Sequence, residues 1–220
     1  HHVKVCDEDI KNALETAGIN MKDVDLISFS QGPGMGHTLR VGAMTARTLS
    51  IVNDIPLIGV NHCIAHLTIG EELTGAKDTV LLYVSGANTQ VIAYEGGKYR
   101  IFGETLDMGI GNFLDSFARN MGLGFPGGPK VAALAEKSKN YIELPYTVKG
   151  MDVGFGGLMT NLKDKLKKGF DKKDLCYSVQ ETVFSMMVEV AERALAHTGK
   201  KEVLLGGGVA CNTRLQEMCK

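Results

Sequence analysis

The sequence predicts an α/β protein built from two related lobes, and three observations carry this prediction. Strand-like and helix-like segments alternate over residues 24–75, which is the order that builds a parallel sheet. Residues 79–208 predict a three-strand meander, helices and a buried strand that ends in glycines. The first stretch resembles the later part of the second, without a low-complexity linker between them. We therefore predict duplicated lobes at 1–78 and 79–220, incomplete at both termini.

In the first lobe, apolar residues recur at helical spacing over residues 7–18, with Asp7 as the expected N-cap and Gly18 as the stop. The second lobe has a strong hairpin signal, Gly96-Gly97, between its second and third strands. The remaining predicted elements are strands at 24–30, 56–60 and 202–208 and helices at 38–52, 61–73, 111–122, 131–137, 158–168, 173–197 and from about 212, while residues 140–157 are poorly patterned.

The overall composition limits the function classes. The 220 residues are 44% hydrophobic and 22% charged, with a formal net charge of −1, so nucleic-acid binding requires a local basic patch. The five cysteines lack CxxC spacing, and neither a signal peptide nor a long apolar run is visible. These features predict free thiols, a cytoplasmic location and no membrane partner.

His62 and His66 are the first candidate ligands, because residues four apart on a helix project from one face. This spacing lets two imidazoles share one divalent ion, although an isolated pair is more often two ordinary helix histidines. No glutamate follows His62, so the HExxH arrangement of metallopeptidases is absent.

Glycine-containing turns provide the second set of candidates. The segment from Tyr83 to Gln90 reads as strand, turn and strand, where N–H groups and hydroxyls can approach phosphate oxygens, or as a bare hairpin. Asp115 precedes a Gly-Gly-Pro loop and suits ribose hydroxyls, whereas we expect Asp107 to complement a helix dipole. Asn212 follows a strand and a glycine loop, at the crevice side of an α/β sheet.

A lysine cluster supplies the only basic patch in the sequence. It reads either as a solvated helix or as a contact surface for a phosphate backbone. Its central members are Lys163, Lys165, Lys167 and Lys168.

The order of five segments carries a family resemblance that no single motif does. NHCIAHL, LYVSGANTQ, GETLDMGIGNFLDSFARNMGLGFPGGP, PYTVKGMDV and LLGGGVACN resemble the universal tRNA N6-threonylcarbamoyladenosine synthase family over essentially the whole chain. The resemblance is to the archaeal and eukaryotic form, the catalytic subunit of the KEOPS complex, formerly described as a sialoglycoprotein endopeptidase. It implies the duplicated two-lobed fold of actin, sugar kinases and heat-shock chaperones.

The resemblance also implies an activity. A threonylcarbamoyl group would pass from threonylcarbamoyl-AMP to N6 of the adenine 3′ to the anticodon, in tRNAs that read A-starting codons. The cofactors implied are one divalent metal, iron or zinc, and an adenine nucleotide, with ATP or AMP as analogues of the donor. The implied partners are tRNA, a small atypical kinase subunit and the accessory subunits of the KEOPS complex.

The site residues follow from the same resemblance, and no general base is assigned. His62, His66 and Tyr83 would bind the metal, and Asp115, Gly128 and Asn212 would hold the nucleoside. The residues expected along the phosphate and acyl groups are Tyr83, Val84, Ser85, Gly86 and Ala87.

Two departures from the family pattern affect this set. The metal-binding aspartate that the family carries downstream would lie beyond Lys220, and Ala132 stands where archaeal members commonly have a glutamate. Two alternatives stay open at this point: an ATP-binding phosphotransferase or scaffold of the sugar-kinase type and, more remotely, a metallopeptidase.

Overall fold

A computed structural model describes residues 2–220. The chain divides into two compact units, His1–Ala65 and His66–Lys220, and the predicted lobe boundary at 78/79 stays a prediction. The helices are α1 (His2–Ala17), α2 (Gly36–Asn53), α3 (His62–Thr74), α4 (Ile110–Asn120), α5 (Gly127–Ala135), α6 (Gly156–Lys167), α7 (Lys172–Thr198) and α8 (Thr213–Met218). The strands are β1 (Ile27–Gly32), β2 (Leu57–Asn61), β3 (Val80–Val84), β4 (Thr89–Glu95), β5 (Lys98–Glu104), β6 (Val148–Lys149), β7 (Asp152–Val153) and β8 (Val203–Gly206).

The first unit contains the predicted parallel pairing. Strands β1 and β2 run parallel, with Ile27 opposite Leu57, and α2 connects them. The prediction that Asp7 caps the first helix is wrong, because neither glycine nor proline interrupts the residues before it and α1 already begins at His2. The stop at Gly18 is confirmed: α1 ends one residue earlier, and Gly18 has a φ of 68°.

The second unit is built on a four-stranded sheet in the order β5-β4-β3-β8. The β3–β4 and β4–β5 pairs are antiparallel and form the predicted meander. Strand β8 is parallel to β3, with Val80 opposite Val203, as the sequence predicted. Gly96 and Gly97 form the hairpin turn with φ values of 60° and 77°, the left-handed region that a two-residue turn requires.

The core of this unit lies between the sheet and α7. Every residue of β3 is buried, which explains why its sequence is an unbroken apolar run. Helix α7 is capped by the Asp171 side chain, which accepts hydrogen bonds from two N–H groups, and it ends at Gly199. Four phenylalanines of this unit are fully buried: Phe113, Phe117, Phe155 and Phe184.

The poorly patterned stretch 140–157 contains the short β6–β7 hairpin and is attached to α7 by side chains. Tyr146 donates a hydrogen bond to Glu189, and Arg193 donates to the carbonyl oxygen of Gly150. Burial and the Glu189 carboxylate raise the pKa of Tyr146 well above its usual value. These contacts join residues that are far apart in the sequence, so local sequence periodicity does not predict them.

Across residues 2–220, none of the helices combines the length and the apolar character that crossing a bilayer demands.

Candidate functional site

A cavity of about 540 Å³ lies within the second unit, between α4, α5, the β3–β4 turn and the loop that follows β8. Four residues that the sequence analysis singled out line it: Gly86, Asp115, Gly128 and Asn212. They come from four separate segments of the chain. The fold therefore places these predicted nucleotide-binding residues on the wall of one cavity.

The β3–β4 turn is held by its own hydrogen bonds. The backbone N–H and the hydroxyl of Ser85 both donate to the carbonyl oxygen of Asn88, at 3.0 and 2.8 Å. Tyr83 and Val84 precede the turn and are buried in β3, whereas Gly86 and Ala87 are exposed at its tip. Of the five residues predicted along the phosphate and acyl groups, Gly86 lines the cavity.

Helix α4 begins directly against this turn. The N–H of Gly111 donates to the carbonyl oxygen of Ser85 at 3.0 Å, and the N–H of Asn112 donates to that of Gly86 at 2.9 Å. A Cβ atom on Gly111 would lie 2.7 Å from the Cα of Gly86, so only glycine permits this approach. Gly111 is thus a site residue that the sequence analysis missed.

Asp115 joins α4 to α5. One carboxylate oxygen, Oδ1, accepts a hydrogen bond of 2.7 Å from the N–H of Gly127, the first residue of α5. A carboxylate has about four acceptor positions, and within residues 2–220 its Oδ2 accepts no hydrogen bond. Asp115 is half-buried at the cavity wall and retains acceptor capacity there.

Asn212 is fixed in orientation before any ligand arrives. Its Oδ1 accepts from the N–H groups of Arg214 and Leu215, at 2.9 and 3.3 Å, and so caps α8. Its Nδ2 donates to Gln180 Oε1 at 3.2 Å. A side chain held at both ends supplies a rigid wall to the cavity.

Asp107 has a different role from Asp115. Its carboxylate accepts hydrogen bonds from the N–H groups of Met108, Phe155 and Gly156. It complements the start of a helix, as expected, but that helix is α6 and not the nearby α4. Asp107 does not line the cavity.

The predicted metal ligands lie on and beside α3. His62 is the first residue of that helix and His66 follows one turn later, and both are half-buried. The His66 ring is tilted by 45° against the Tyr83 ring, with 5.0 Å between the ring centroids. Cys63, which follows His62, is buried. In the stretch 2–220, no group of three or more His, Cys, Asp or Glu side chains is placed to hold a metal ion.

The predicted basic patch lies on α6 and at its C-cap, away from the residues that line the cavity. Lys165 Nζ lies 5.1 Å from the centroid of the Phe170 ring, and Lys167 is 4.0 Å from Asp164. Lys163 and Lys168 are exposed, with no ion pair within residues 2–220. Neighbouring side chains therefore neutralise only part of the positive charge of this patch.

Glu136 and Cys211 also line the cavity and were missed by the sequence analysis. Glu136 was detectable, because Gly128, Ala132 and Glu136 are spaced by four residues and share one face of α5. Cys211 was not, since the turn after β8 has no periodic pattern.

Comparison with family models matches residues 1–220 to the family described as TsaD, tRNA N6-adenosine threonylcarbamoyltransferase. A protein of that name from Thermococcus kodakarensis is 59% identical over 221 residues, which cover 100% of this chain and 68% of the relative. A probable bifunctional tRNA threonylcarbamoyladenosine biosynthesis protein from Methanosarcina barkeri is 60% identical over 221 residues, which cover 99% of this chain and 40% of that protein.

Solved structures with a similar fold have low sequence identity. Full-length HypF, in a phosphate- and nucleotide-bound form, matches with a TM-score of 0.73 at 15% identity, covering 96% of this chain and 43% of that one. Component A of the (R)-2-hydroxyglutaryl-CoA dehydratase of Acidaminococcus fermentans matches with a TM-score of 0.63 at 20% identity, covering 97% and 72%. These matches confirm the predicted fold class, that of actin, sugar kinases and heat-shock chaperones.

Proposed function

Because the chain belongs to the tRNA N6-adenosine threonylcarbamoyltransferase family, we propose that it transfers a threonylcarbamoyl group from threonylcarbamoyl-AMP to N6 of the adenine 3′ to the anticodon of tRNA. The observation that carries the proposal is the single cavity lined by Gly86, Asp115, Gly128 and Asn212. Its volume of about 540 Å³ falls within the range of sites that bind small molecules.

The nucleoside part of the donor occupies this cavity. Asp115 Oδ2 accepts a hydrogen bond from a ribose hydroxyl, while Oδ1 stays on the N–H of Gly127. Gly128 brings its backbone against the sugar without a side chain, and Asn212 lines another part of the cavity wall. A ligand held by parts that are already fixed loses less freedom on binding, which favours affinity.

The phosphate lies at the β3–β4 turn. Within residues 2–220, the N–H groups of Gly86 and Ala87 donate no hydrogen bond, and both residues are exposed. Two adjacent N–H groups at a turn attract an anion. They stabilise the negative charge that grows on the phosphate as the exocyclic amine forms its C–N bond and the carbonyl-to-phosphate C–O bond breaks. The amine loses one proton, and AMP leaves.

As the family resemblance implies, His62, His66 and Tyr83 would hold a divalent metal, iron or zinc. His62 and His66 offer two imidazoles one helical turn apart, and the Tyr83 phenol lies beside the His66 ring. A bound metal supplies positive charge that polarises a carbonyl group. The role of these three residues would be to hold the metal ion in place.

The proposal extends to the partners and the location of the enzyme. The tRNA contacts the basic patch of Lys163, Lys165, Lys167 and Lys168, and the enzyme works in the cytoplasm with a small atypical kinase subunit and the accessory subunits of the KEOPS complex. The chain spans 68% of the length of the curated Thermococcus relatives. The activity of the whole protein together with these partners is therefore proposed as well.

The two alternatives lack comparable support. A metallopeptidase needs a general base beside its zinc, and Cys63, which is buried, occupies the position after His62. A phosphotransferase of the sugar-kinase type shares the fold, but the fold alone does not select the reaction.

Mass spectrometry of tRNA nucleosides tests the proposal. The protein is incubated with tRNA, threonine, bicarbonate, ATP, the adenylate-forming enzyme and the partner subunits. We expect threonylcarbamoyladenosine to appear and to disappear when the protein is omitted. Phosphate transfer to a small alcohol without any modified adenosine would support the phosphotransferase instead.

A further inference from the structure

A second cavity, of about 570 Å³, adjoins the first between α5, α7 and α8. The two cavities have four lining residues in common: Ala132, Glu136, Asn212 and Thr213. Side chains at this shared wall can reach a ligand that extends from the first cavity. Two polar side chains have no assigned role: Glu136 on the shared wall and Gln180, which lines the second cavity.

Glu136 is placed unfavourably for stability. It is the C-cap of α5, where the partial negative charge of the helix terminus disfavours a carboxylate. The side chain is exposed, and within residues 2–220 it forms neither a hydrogen bond nor an ion pair. The Glu136 carboxylate therefore has unused acceptor positions at the junction of the two cavities, where a donor group of a ligand can bind.

Gln180 supplies a donor in the second cavity, beside Asn212. The residue is 7% exposed and lines the second cavity. Its Oε1 accepts from Asn212 Nδ2 at 3.2 Å, which fixes the amide, while within residues 2–220 its Nε2 donates to no other group. The amide therefore offers an unused N–H donor to the cavity, where an acceptor on a ligand can satisfy it.

We propose that Glu136 and Gln180 together recognise the base of the bound nucleotide and select adenine. Adenine presents an exocyclic amine donor beside a ring-nitrogen acceptor, whereas the corresponding edge of guanine presents two acceptors. The Glu136 carboxylate accepts from the amine, and Gln180 Nε2 donates to the ring nitrogen. The inference rests on the proposed function in one respect, namely that an adenosine-containing donor occupies the first cavity.

Calorimetric titration with three nucleotides tests this recognition. The ligands are AMP, purine riboside 5′-monophosphate, which lacks the exocyclic amine, and GMP. We expect Glu136→Ala to weaken AMP binding roughly tenfold and to leave the amine-free analogue within about twofold, because the lost hydrogen bond involves the amine. Glu136→Gln keeps one acceptor oxygen and recovers part of the AMP affinity.

A matched control and a stability measurement complete the design. Glu143 is exposed and lines neither cavity, so Glu143→Ala removes the same charge without changing the Kd of any ligand. The Glu136→Gln variant melts at or above the wild-type temperature, since it removes a charge that opposes the helix dipole.

The outcomes separate this inference from the proposed function. Equal losses for AMP and the amine-free analogue in Glu136→Ala, or no loss for either, would overturn base recognition while AMP binding by the wild type still supported the nucleotide site. Wild-type protein that bound GMP as tightly as AMP would likewise overturn base recognition. Wild-type protein that bound none of the three nucleotides would contradict the nucleotide site itself, and the inference with it.

Discussion

Two aspartates eight residues apart, Asp107 before α4 and Asp115 within it, differ in how far their hydrogen-bonding capacity is used. Asp107 accepts from three backbone N–H groups and so fixes the start of α6. Asp115 accepts from one, that of Gly127, and lines the cavity. Both are aspartates that directly follow a leucine in the sequence. The two carboxylates differ in how many backbone N–H groups already donate to them. Asp107 is used to stabilise the fold, whereas Asp115 keeps acceptor positions for a ligand.

The largest expected effect is on catalysis at Asp115. Asp115→Ala should lower threonylcarbamoyl transfer about hundredfold, which corresponds to about 2.7 kcal/mol, because a buried hydroxyl-to-carboxylate hydrogen bond is lost. The rate is measured by nucleoside mass spectrometry under single-turnover conditions. Asp115→Asn is the matched variant, because its amide oxygen still accepts from Gly127. Transfer at the wild-type rate in Asp115→Ala would remove this residue from the site.

The reciprocal change at Asp107 should affect stability and not binding. Asp107→Ala leaves two N–H groups at the start of α6, and that of Met108, without their acceptor and should cost about 2 kcal/mol of the free energy of unfolding. Urea denaturation measures it, and the Kd for AMP of the folded variant should match that of the wild type. A selective loss of AMP affinity with unchanged stability would reverse the roles assigned to the two aspartates.

A moderate effect is expected at the basic patch on α6. Replacing Lys163 and Lys168 by alanine should reduce the slope of log K against log salt for tRNA binding by about 1 to 2, if each contacts one phosphate. Lys98, exposed on β5, gives the control variant, whose slope should stay that of the wild type. An unchanged slope in the double variant would mean that the patch is only solvated.

The smallest effect concerns a third carboxylate, Asp174, which resembles Asp107 in being occupied by donors. Hydrogen bonds from Ser138 and Asn140 lower its pKa. A lowered folded-state pKa contributes stability above the unfolded value of about 3.9, and this contribution disappears as the pH falls through the folded pKa. Ser138→Ala should weaken that acid dependence, as thermal melts between pH 2 and pH 6 would report. Superimposable curves for variant and wild type would contradict the assignment.

The sequence predicted the elements well where their signal is local. The meander, the Gly96-Gly97 hairpin and the long helix α7 follow from alternation, turn residues and helical spacing, and all are present. The error at the start of α1 has a local cause as well, since an aspartate within a helical pattern does not distinguish a cap from an interior position.

The site was harder to predict, because its pieces meet only through tertiary contacts. Motif order selected Asp115, Gly128 and Asn212, and the fold gathers them at one cavity. Periodicity cannot report that the Gly111 backbone must approach Gly86, or that a buried Gln180 fixes Asn212. Both facts depend on helices that are distant in sequence.

The central claim, that an adenine nucleotide occupies this cavity, is tested most directly at Cys211, which lines the cavity and is exposed. Burial raises the pKa of Cys176 to about 12, so that thiol stays unreactive, while half-buried Cys6 lies outside the cavity and serves as the reference. Iodoacetamide labelling read by peptide mass spectrometry should slow at Cys211 by about tenfold when AMP saturates the protein, with labelling at Cys6 unchanged. Equal labelling rates at Cys211 with and without bound AMP would contradict the claim.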